Sequence, residues 1–161
     1  ISCMPELRKS DSRLIIIGTG DMENEVLYNA LKYPEVYHVK RYDENLAHLL
    51  YAASDYFLMP SYFEPCGTSQ MISMRYGTVP IVSNVGGLND TVKDINLGYE
   101  ATGFVFDNND PTAYMNCFIA SSRYFYEPGL DRLIQEGMKG DYSWARSAEE
   151  YLKLYDSITW K

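Results

Sequence analysis

Residues 56–82 read YFLMPSYFEPCGTSQMISMRYGTVPIV, and this stretch decides the fold. The apolar runs 56–59 and 79–82 are typical of strands that are buried on both faces of a parallel sheet. Between them the pattern predicts a helix over residues 67–76, which Gly77 ends from the C′ position. A strand, a helix and a second strand in this order form a βαβ unit, whose strands are parallel and whose crossover is right-handed.

The same alternation extends on both sides of this stretch. Apolar runs and apolar residues at helical spacing predict strands over 14–17, 36–39 and 103–106, and helices over 22–32 and 45–53. Asp43 or Asn45 is expected to cap the helix over 45–53, and residues 89–102 are predicted to be a loop. The expected fold class is therefore α/β, with a Rossmann-like, doubly wound parallel sheet and helices on both faces.

After residue 106 the pattern predicts helices only. Asp110 is expected to cap a helix that has Pro111 at its first position. Pro128 is expected to stop this helix. Two more helices are predicted over 130–139 and 143–155. These helices form a C-terminal segment outside the alternating βα pattern.

The predicted sheet lacks a strand at its beginning. Only a short helical tail, residues 5–8, precedes the first apparent strand, whereas a doubly wound sheet normally starts with a strand. The N-terminus, Ile1-Ser2-Cys3, carries neither an initiator Met nor the apolar region of a signal peptide. We therefore expect residues 1–161 to be a single Rossmann-like domain that lacks its first strand and belongs to a longer protein.

Composition excludes several classes of function. The 161 residues include 14 Lys and Arg against 22 Asp and Glu, and the net charge of −8 argues against nucleic acid as a partner. No apolar run approaches the roughly 18 residues of a membrane span, so no membrane partner is expected. Cys3, Cys66 and Cys117 lie far apart, which indicates neither a disulfide framework nor a metal site and fits a reducing compartment.

The loops after the predicted strands are the candidate site, because ligands bind at the carboxyl ends of parallel strands. Glu64 lies in a loop stiffened by proline and glycine that leads into a helix. The backbone N–H groups of Gly67, Thr68 and Ser69 at the start of that helix can bind an anion without any lysine. An acidic domain can therefore still hold a phosphate group.

Other residues in these loops leave alternatives open. Gly86 and Gly87 would let the backbone approach a ligand closely, or they simply form a tight turn. Cys66 could be a nucleophile at a helix N-terminus, although a small residue whose backbone matters is the better reading. The turn at Gly18 and Gly20 lacks the third glycine of a dinucleotide fingerprint, which disfavours a nicotinamide cofactor.

Three blocks of sequence together resemble one family. They are MPSYFEPCG over 59–67 with Gln70, MRYGTVPIV over 74–82, and GGLNDTV over 86–92. In this order they are similar to the bacterial glycogen synthases and plant starch synthases. The resemblance reaches back to GTGD at 18–21 and forward to Trp144, Ser147 and Tyr151, so that it covers nearly the whole chain.

The resemblance implies a fold and a reaction. Members of the family are retaining glycosyltransferases with two Rossmann-like domains, and this chain resembles the C-terminal, nucleotide-sugar-binding domain. The implied reaction transfers glucose from ADP-glucose to the non-reducing end of an α-1,4-glucan, with no metal and no cofactor. The glucan acceptor would be held by the N-terminal domain, and the expected location is the cytoplasm, or a plastid in a plant.

The resemblance also implies roles for individual residues. Glu64 is the implied catalytic residue, placed against the hydroxyls of the donor glucose. The residues implied to bind the donor sugar and diphosphate are Cys66, Gly67, Thr68, Ser69, Gly86 and Gly87. The residues implied to bind the nucleotide are Gly18, Gly20 and Tyr42.

This chain departs from the family at several positions. Arginine is usual in the family where this chain has Leu49 and Tyr62, and frequent where it has Ser83. The family's Arg and Lys that clamp the diphosphate belong to a segment before residue 1, so the 161 residues alone are expected to be inactive. Two alternatives follow: a related retaining glycosyltransferase that uses UDP-glucose, and a non-catalytic binding module with the same fold.

Overall fold

The computed structural model describes residues 4–107, 110 and 112–158. Five parallel strands occur where the sequence predicts them, within one residue at each end. They are β1 (Leu14–Ile17), β2 (Val36–Val39), β3 (Tyr56–Met59), β4 (Val79–Ser83) and β5 (Phe104–Phe106). The strands form two sheets rather than one: β1 pairs with β2, and β4 lies between β3 and β5.

Eight α-helices and one 3-10 helix occur in the described residues. They are α1 (Met4–Lys9), α2 (Glu23–Lys32), α3 (Glu44–Ala53), α4 (Ser69–Arg75), α5 (Gly86–Thr91), the 3-10 helix (Ile95–Glu100), α6 (Ala113–Tyr124), α7 (Gly129–Lys139) and α8 (Trp144–Ile158). Asp43 caps α3 as expected, because its carboxylate accepts a hydrogen bond of 3.0 Å from the Leu46 N–H. The prediction of an α/β fold with parallel strands and flanking helices is confirmed.

Three local predictions need correction. The helix after β3 begins at Ser69 rather than at residue 67, since Gly67 has a φ of +70° that no helix allows. Residues 89–102 are not a loop, because α5 and the 3-10 helix occupy most of them. Asp110 accepts from the N–H and hydroxyl of Thr112, and α6 starts only after Thr112. Pro111, like Cys3, lies outside the described residues.

The three-stranded sheet is the centre of the core. Every residue of β4 is buried, and its side chains enter two different clusters. Val79 and Ile81 pack with Phe104 and with Leu133 of α7. Val82 packs in a second cluster with Met74 of α4, Leu88 and Val92. Alternate residues of a strand point to opposite faces, so both faces of this sheet are covered.

The two-stranded sheet is less completely covered. Leu7 of α1 and Val36 of β2 form a small cluster with Phe118 of α6, which ties this sheet to the rest of the chain. Ile15, in the middle of β1, is 46% exposed. Between β1 and β3 lies a cleft of about 870 Å³, which residues of both strands line. The facing edges of these two strands pair with no strand in the described part of the chain.

The last helix packs little against the rest of the molecule. No residue of α8 is buried, and several of its large apolar side chains are exposed: Trp144, Tyr151, Leu152, Leu154, Tyr155 and Ile158. Within residues 4–107, 110 and 112–158, no helix is both long enough and apolar enough to cross a membrane.

Candidate functional site

Two loops interlock at the carboxyl end of the three-stranded sheet. We call residues 60–68, between β3 and α4, the Glu64 loop. The N–H of Gly87, at the start of α5, donates a hydrogen bond of 3.2 Å to the Glu64 carbonyl. A Cβ on Gly86 would overlap the Glu64 carbonyl oxygen, and one on Gly87 would overlap that of Cys66. Both glycines are therefore required by the contact between the two backbones, whereas a ligand contact of theirs stays a prediction.

A buried amide links the same two loops. The Gln70 side chain is fully buried, and its Nε2 donates to the carbonyl oxygens of Cys66 (3.3 Å) and Gly67 (3.1 Å) and to Thr91 Oγ1 (3.0 Å). Thr91 Oγ1 in turn donates a bond of 2.7 Å to the Gly87 carbonyl. These polar contacts connect the Glu64 loop to α5.

The N–H groups that the sequence predicts as an anion site are available. Among the hydrogen bonds of the described residues, none is donated by the backbone N–H of Gly67, Thr68 or Ser69. Thr68 and Cys66 are exposed, and Glu64 and Ser69 are half-buried at the same rim. The structure thus brings together Glu64, three unpaired backbone donors and the exposed Cys66 in the Glu64 loop and the first residue of α4.

The loop is also held at its start. Ser83 is fully buried at the end of β4, and its hydroxyl donates a bond of 2.5 Å to the Ser61 carbonyl. Leu49 and Tyr62, in contrast, are well exposed. Of the three positions at which the family's arginine is replaced, two are on the surface and one is an interior contact.

The predicted nucleotide residues lie at the rim of the other sheet. Gly18 follows β1 with a φ of +136°, and its N–H donates to Val39. Nothing lies within 4 Å of a Cβ placed on Gly18 or Gly20. Tyr42 follows β2 and is 79% exposed. Within the described residues, no hydrogen bond between backbone groups connects these three residues to the Glu64 loop.

The two described cysteines differ in their surroundings. Cys66 is exposed, whereas Cys117 is half-buried on α6. Burial, together with the nearby Asp94 carboxylate, raises the pKa of the Cys117 thiol to about 12. Among the residues that the structure describes, no group of three His, Cys, Asp or Glu side chains could hold a metal ion.

Sequence reasoning assigned no role to Gln70 or Thr91, although both belong to the motifs quoted above. One signal could have identified Gln70. It precedes Met74 by four residues, a spacing that places the two side chains on the same face of the helix. A polar side chain on a buried face must find a partner, and the carbonyls of the adjacent loop are within its reach.

Comparison with known proteins adds three observations. A family model described as glycosyl transferases group 1 matches residues 1–121. The glycogen synthase of Clostridium novyi (strain NT) is 42% identical over 161 residues, which cover 97% of this chain and 34% of that protein. The glycogen synthase of Elusimicrobium minutum (strain Pei191) is 46% identical over 159 residues, which cover 93% of this chain and 32% of that protein.

A solved structure agrees with these sequence matches. The catalytic domain of starch synthase IV from Arabidopsis thaliana, bound to ADP and acarbose, has a TM-score of 0.84 and 33% identity, over 97% of this chain and 34% of that one. This chain spans about a third of the length of the curated relatives that it matches. The resemblance to glycogen and starch synthases is thereby confirmed, and the chain belongs to the group 1 family of glycosyl transferases.

Proposed function

We propose that this chain is the donor-binding domain of a glycogen or starch synthase. The complete enzyme would transfer glucose from ADP-glucose to the non-reducing end of an α-1,4-glucan, with retention at the anomeric carbon. The single observation that carries the proposal is the Glu64 loop, in which a carboxylate and three unpaired backbone N–H groups share one rim.

The chemistry of the reaction fits these groups. Negative charge gathers on the diphosphate as it leaves the sugar, and backbone donors that are already in place stabilise such charge. Gly67, Thr68 and Ser69 supply these donors, while Glu64 accepts hydrogen bonds from the glucose hydroxyls. Tyr42 is exposed and free to stack on the adenine, and Gly18 and Gly20 leave open space for the nucleotide.

The cleft between the two sheets belongs to the same proposal. In a doubly wound sheet of order 3-2-1-4-5-6, the first strand lies between the second and the fourth. The sheets β2-β1 and β3-β4-β5 correspond to strands 3-2 and 4-5-6 of that order. The cleft between β1 and β3 is thus the place that a strand from before residue 1 would fill in the complete protein. The acceptor-binding domain would also precede residue 1.

The donor and the location are further parts of the proposal. ADP-glucose is the donor we favour because a structural relative at 33% identity binds ADP. The absence of arginine at positions 49, 62 and 83 makes UDP-glucose the alternative to test. Free thiols at Cys66 and Cys117 suit a reducing location such as the cytoplasm, or a plastid in a plant.

The test uses the natural full-length protein and measures the incorporation of labelled glucose into glycogen from ADP-glucose and from UDP-glucose. Glu64→Gln is expected to lower turnover by about 100-fold or more, with an unchanged thermal midpoint. Glu149→Gln, an exposed carboxylate on α8, is the matched control and should keep full turnover. Unchanged turnover in Glu64→Gln would contradict the assigned role, and binding of the nucleotide sugar without any transfer would favour the binding module.

A further inference from the structure

The Gln70 side chain donates hydrogen bonds to two peptide groups in the Glu64 loop. Its Nε2 holds the carbonyl oxygens of Cys66 and Gly67, and these bonds point toward the buried interior, where Gln70 itself lies. The peptide bonds of the described residues are trans, so the N–H of each peptide points away from its C=O. The N–H of Gly67 shares a peptide with the Cys66 carbonyl, and the N–H of Thr68 shares one with the Gly67 carbonyl.

Two further contacts maintain this direction. The Cys66 carbonyl oxygen lies against the bare Cα of Gly87, so that a side chain there would push it out. A Cβ on Gly67 would lie 2.6 Å from Gln70 Oε1, so the amide fits under the loop only because residue 67 is glycine. Thr91 Oγ1 accepts a further hydrogen bond of 3.0 Å from the same nitrogen of the amide.

The environment of the amide oxygen shows which end of the side chain matters. Gln70 Oε1 is buried and has no hydrogen-bond partner, which costs stability. An apolar side chain of the same length would avoid that cost. Among the described residues, only the donor end of the Gln70 side chain makes hydrogen bonds, and all of them go to the Glu64 loop or to α5.

We propose that Gln70 is a positioning residue, which turns the N–H groups of Gly67 and Thr68 outward so that they can bind the diphosphate of the sugar donor. The inference rests on the proposed function, because it explains the orientation of the backbone N–H groups that the proposed function assigns to the diphosphate. Gln70 touches no substrate; it acts through the backbone of the Glu64 loop.

The test compares two buried polar residues of α4 in the natural full-length protein. Gln70→Met keeps the length of the side chain and removes the donor, whereas Ser73→Ala removes an equally buried hydroxyl whose only hydrogen bond to the described part of the chain is to the Gln70 carbonyl. We expect Gln70→Met to lower kcat/KM for glucose transfer by roughly 10- to 100-fold. Ser73→Ala should lower kcat/KM by less than about threefold at a comparable loss of thermal midpoint. Equal losses in the two variants would overturn the proposal.

A second pair of variants covers the case in which Gln70→Met does not fold. Thr91→Val retains the shape of Thr91 but loses its hydroxyl, and Thr91→Ser retains the hydroxyl. Thr91→Val should lower kcat/KM by about three- to tenfold, and Thr91→Ser should restore it. Identical kinetics in Thr91→Val and Thr91→Ser would overturn the proposal.

Ligand-free crystal structures separate this inference from the proposed function. In Gln70→Met, or in Thr91→Val if the former does not fold, the peptide planes 66–67 and 67–68 should rotate relative to the unmodified protein. In Ser73→Ala they should not. Unrotated planes would overturn the role of Gln70 even if the protein transfers glucose. Rotated planes in a protein without transferase activity would support the role of Gln70 while the proposed function fails.

Discussion

The two parallel sheets have similar sequences but very different surroundings. β1 reads LIII and β4 reads VPIVS, and both are typical of buried parallel strands. All of β4 is buried between helices, whereas no residue of β1 is and the edge facing β3 borders the cleft. An apolar strand sequence therefore predicts that neighbouring elements cover the strand. The structure shows that the described chain supplies this cover for β4 but not for β1.

The same contrast exists at the two rims. At the rim of the three-stranded sheet, the backbone of Gly86 and Gly87 packs directly against the backbone of the Glu64 loop, so that contacts within the chain require glycine there. At the rim of the two-stranded sheet, Gly18 and Gly20 face open space. The first rim is therefore formed before any ligand binds, and the second has room that a ligand could fill.

The largest effect is expected from matched core substitutions in the two sheets. Ile81→Ala empties a fully buried site in β4 and should cost about 3–5 kcal/mol of unfolding free energy. Ile15→Ala in β1 should cost about 1 kcal/mol, because that side chain is already 46% exposed. Urea unfolding of the 161-residue chain measures both.

Repeating the measurement in the full-length protein sharpens the contrast, since a strand in the cleft would raise the cost of Ile15→Ala toward that of Ile81→Ala. An unchanged cost would refute the proposed strand.

The glycines of the two rims give the next largest effect. Gly87→Ala forces the new Cβ against the Cys66 carbonyl and should destabilise the chain by about 1–3 kcal/mol. Gly20→Ala introduces a Cβ into open space and should change stability by less than about 0.5 kcal/mol. Both values come from urea unfolding. Equal destabilisation of the two variants would break the distinction between a closed and an open rim.

Tyr42 tests whether the open rim binds the nucleotide. Tyr42→Ala removes an exposed ring and should weaken the binding of ADP by about fivefold, the loss of one stacking contact of about 1 kcal/mol. Isothermal titration of the full-length protein with ADP gives the affinity. Tyr28→Ala, another exposed tyrosine of the same half of the chain, is the control and should bind ADP normally. A normal affinity in Tyr42→Ala would remove Tyr42 from the site.

A further expected effect is a loss of stability in alkali that arises around the three-stranded sheet. The pKa of Cys117 is raised from 9.0 to about 12 by burial, and burial raises the pKa of Tyr56 as well. The unfolded chain releases these protons at lower pH than the folded chain does, so stability falls as the pH rises from about 9 toward 12. Urea midpoints at several pH values should show a smaller fall in Cys117→Ala. Cys66→Ala, at an exposed thiol, should retain the fall of the unmodified chain, and an equal fall in all three would contradict the assignment.

Local patterns were enough to predict most of the fold. The five strands and the cap of α3 follow from short apolar runs and from one carboxylate next to a helix start. The helix α5 was missed because Gly86 and Gly87 favour turns over helices. That helix forms through tertiary contacts, namely the bond from Gly87 to Glu64 and the burial of Leu88. The 3-10 helix likewise depends on Asp94, which accepts from both Asn96 and Val105.

The candidate site was predicted only as a set of loops. The order of strands along the chain indicated which loops share an edge, and the N–H groups of Gly67, Thr68 and Ser69 are unpaired among the described residues, whereas their binding of an anion stays a prediction. The expectation of a missing first strand did not by itself show where the sheet divides, because strand pairing depends on which segments are present and not on the composition of each strand; the strand order in the structure places the break between β1 and β3. Helical spacing indicates a buried polar side chain at position 70, but its partners required coordinates, since residue type does not tell which backbone carbonyls a buried amide meets.

The contrast between the two thiols gives this protein a natural attachment point for a spectroscopic label. Cys117 stays protonated and shielded at neutral pH, while Cys66 is exposed two residues from Glu64. With Cys3 replaced by serine, a maleimide fluorophore would react at Cys66 and report on the Glu64 loop directly. The emission of that dye could then follow, in real time and without any assay of product, how the loop responds to a nucleotide sugar and how quickly it recovers.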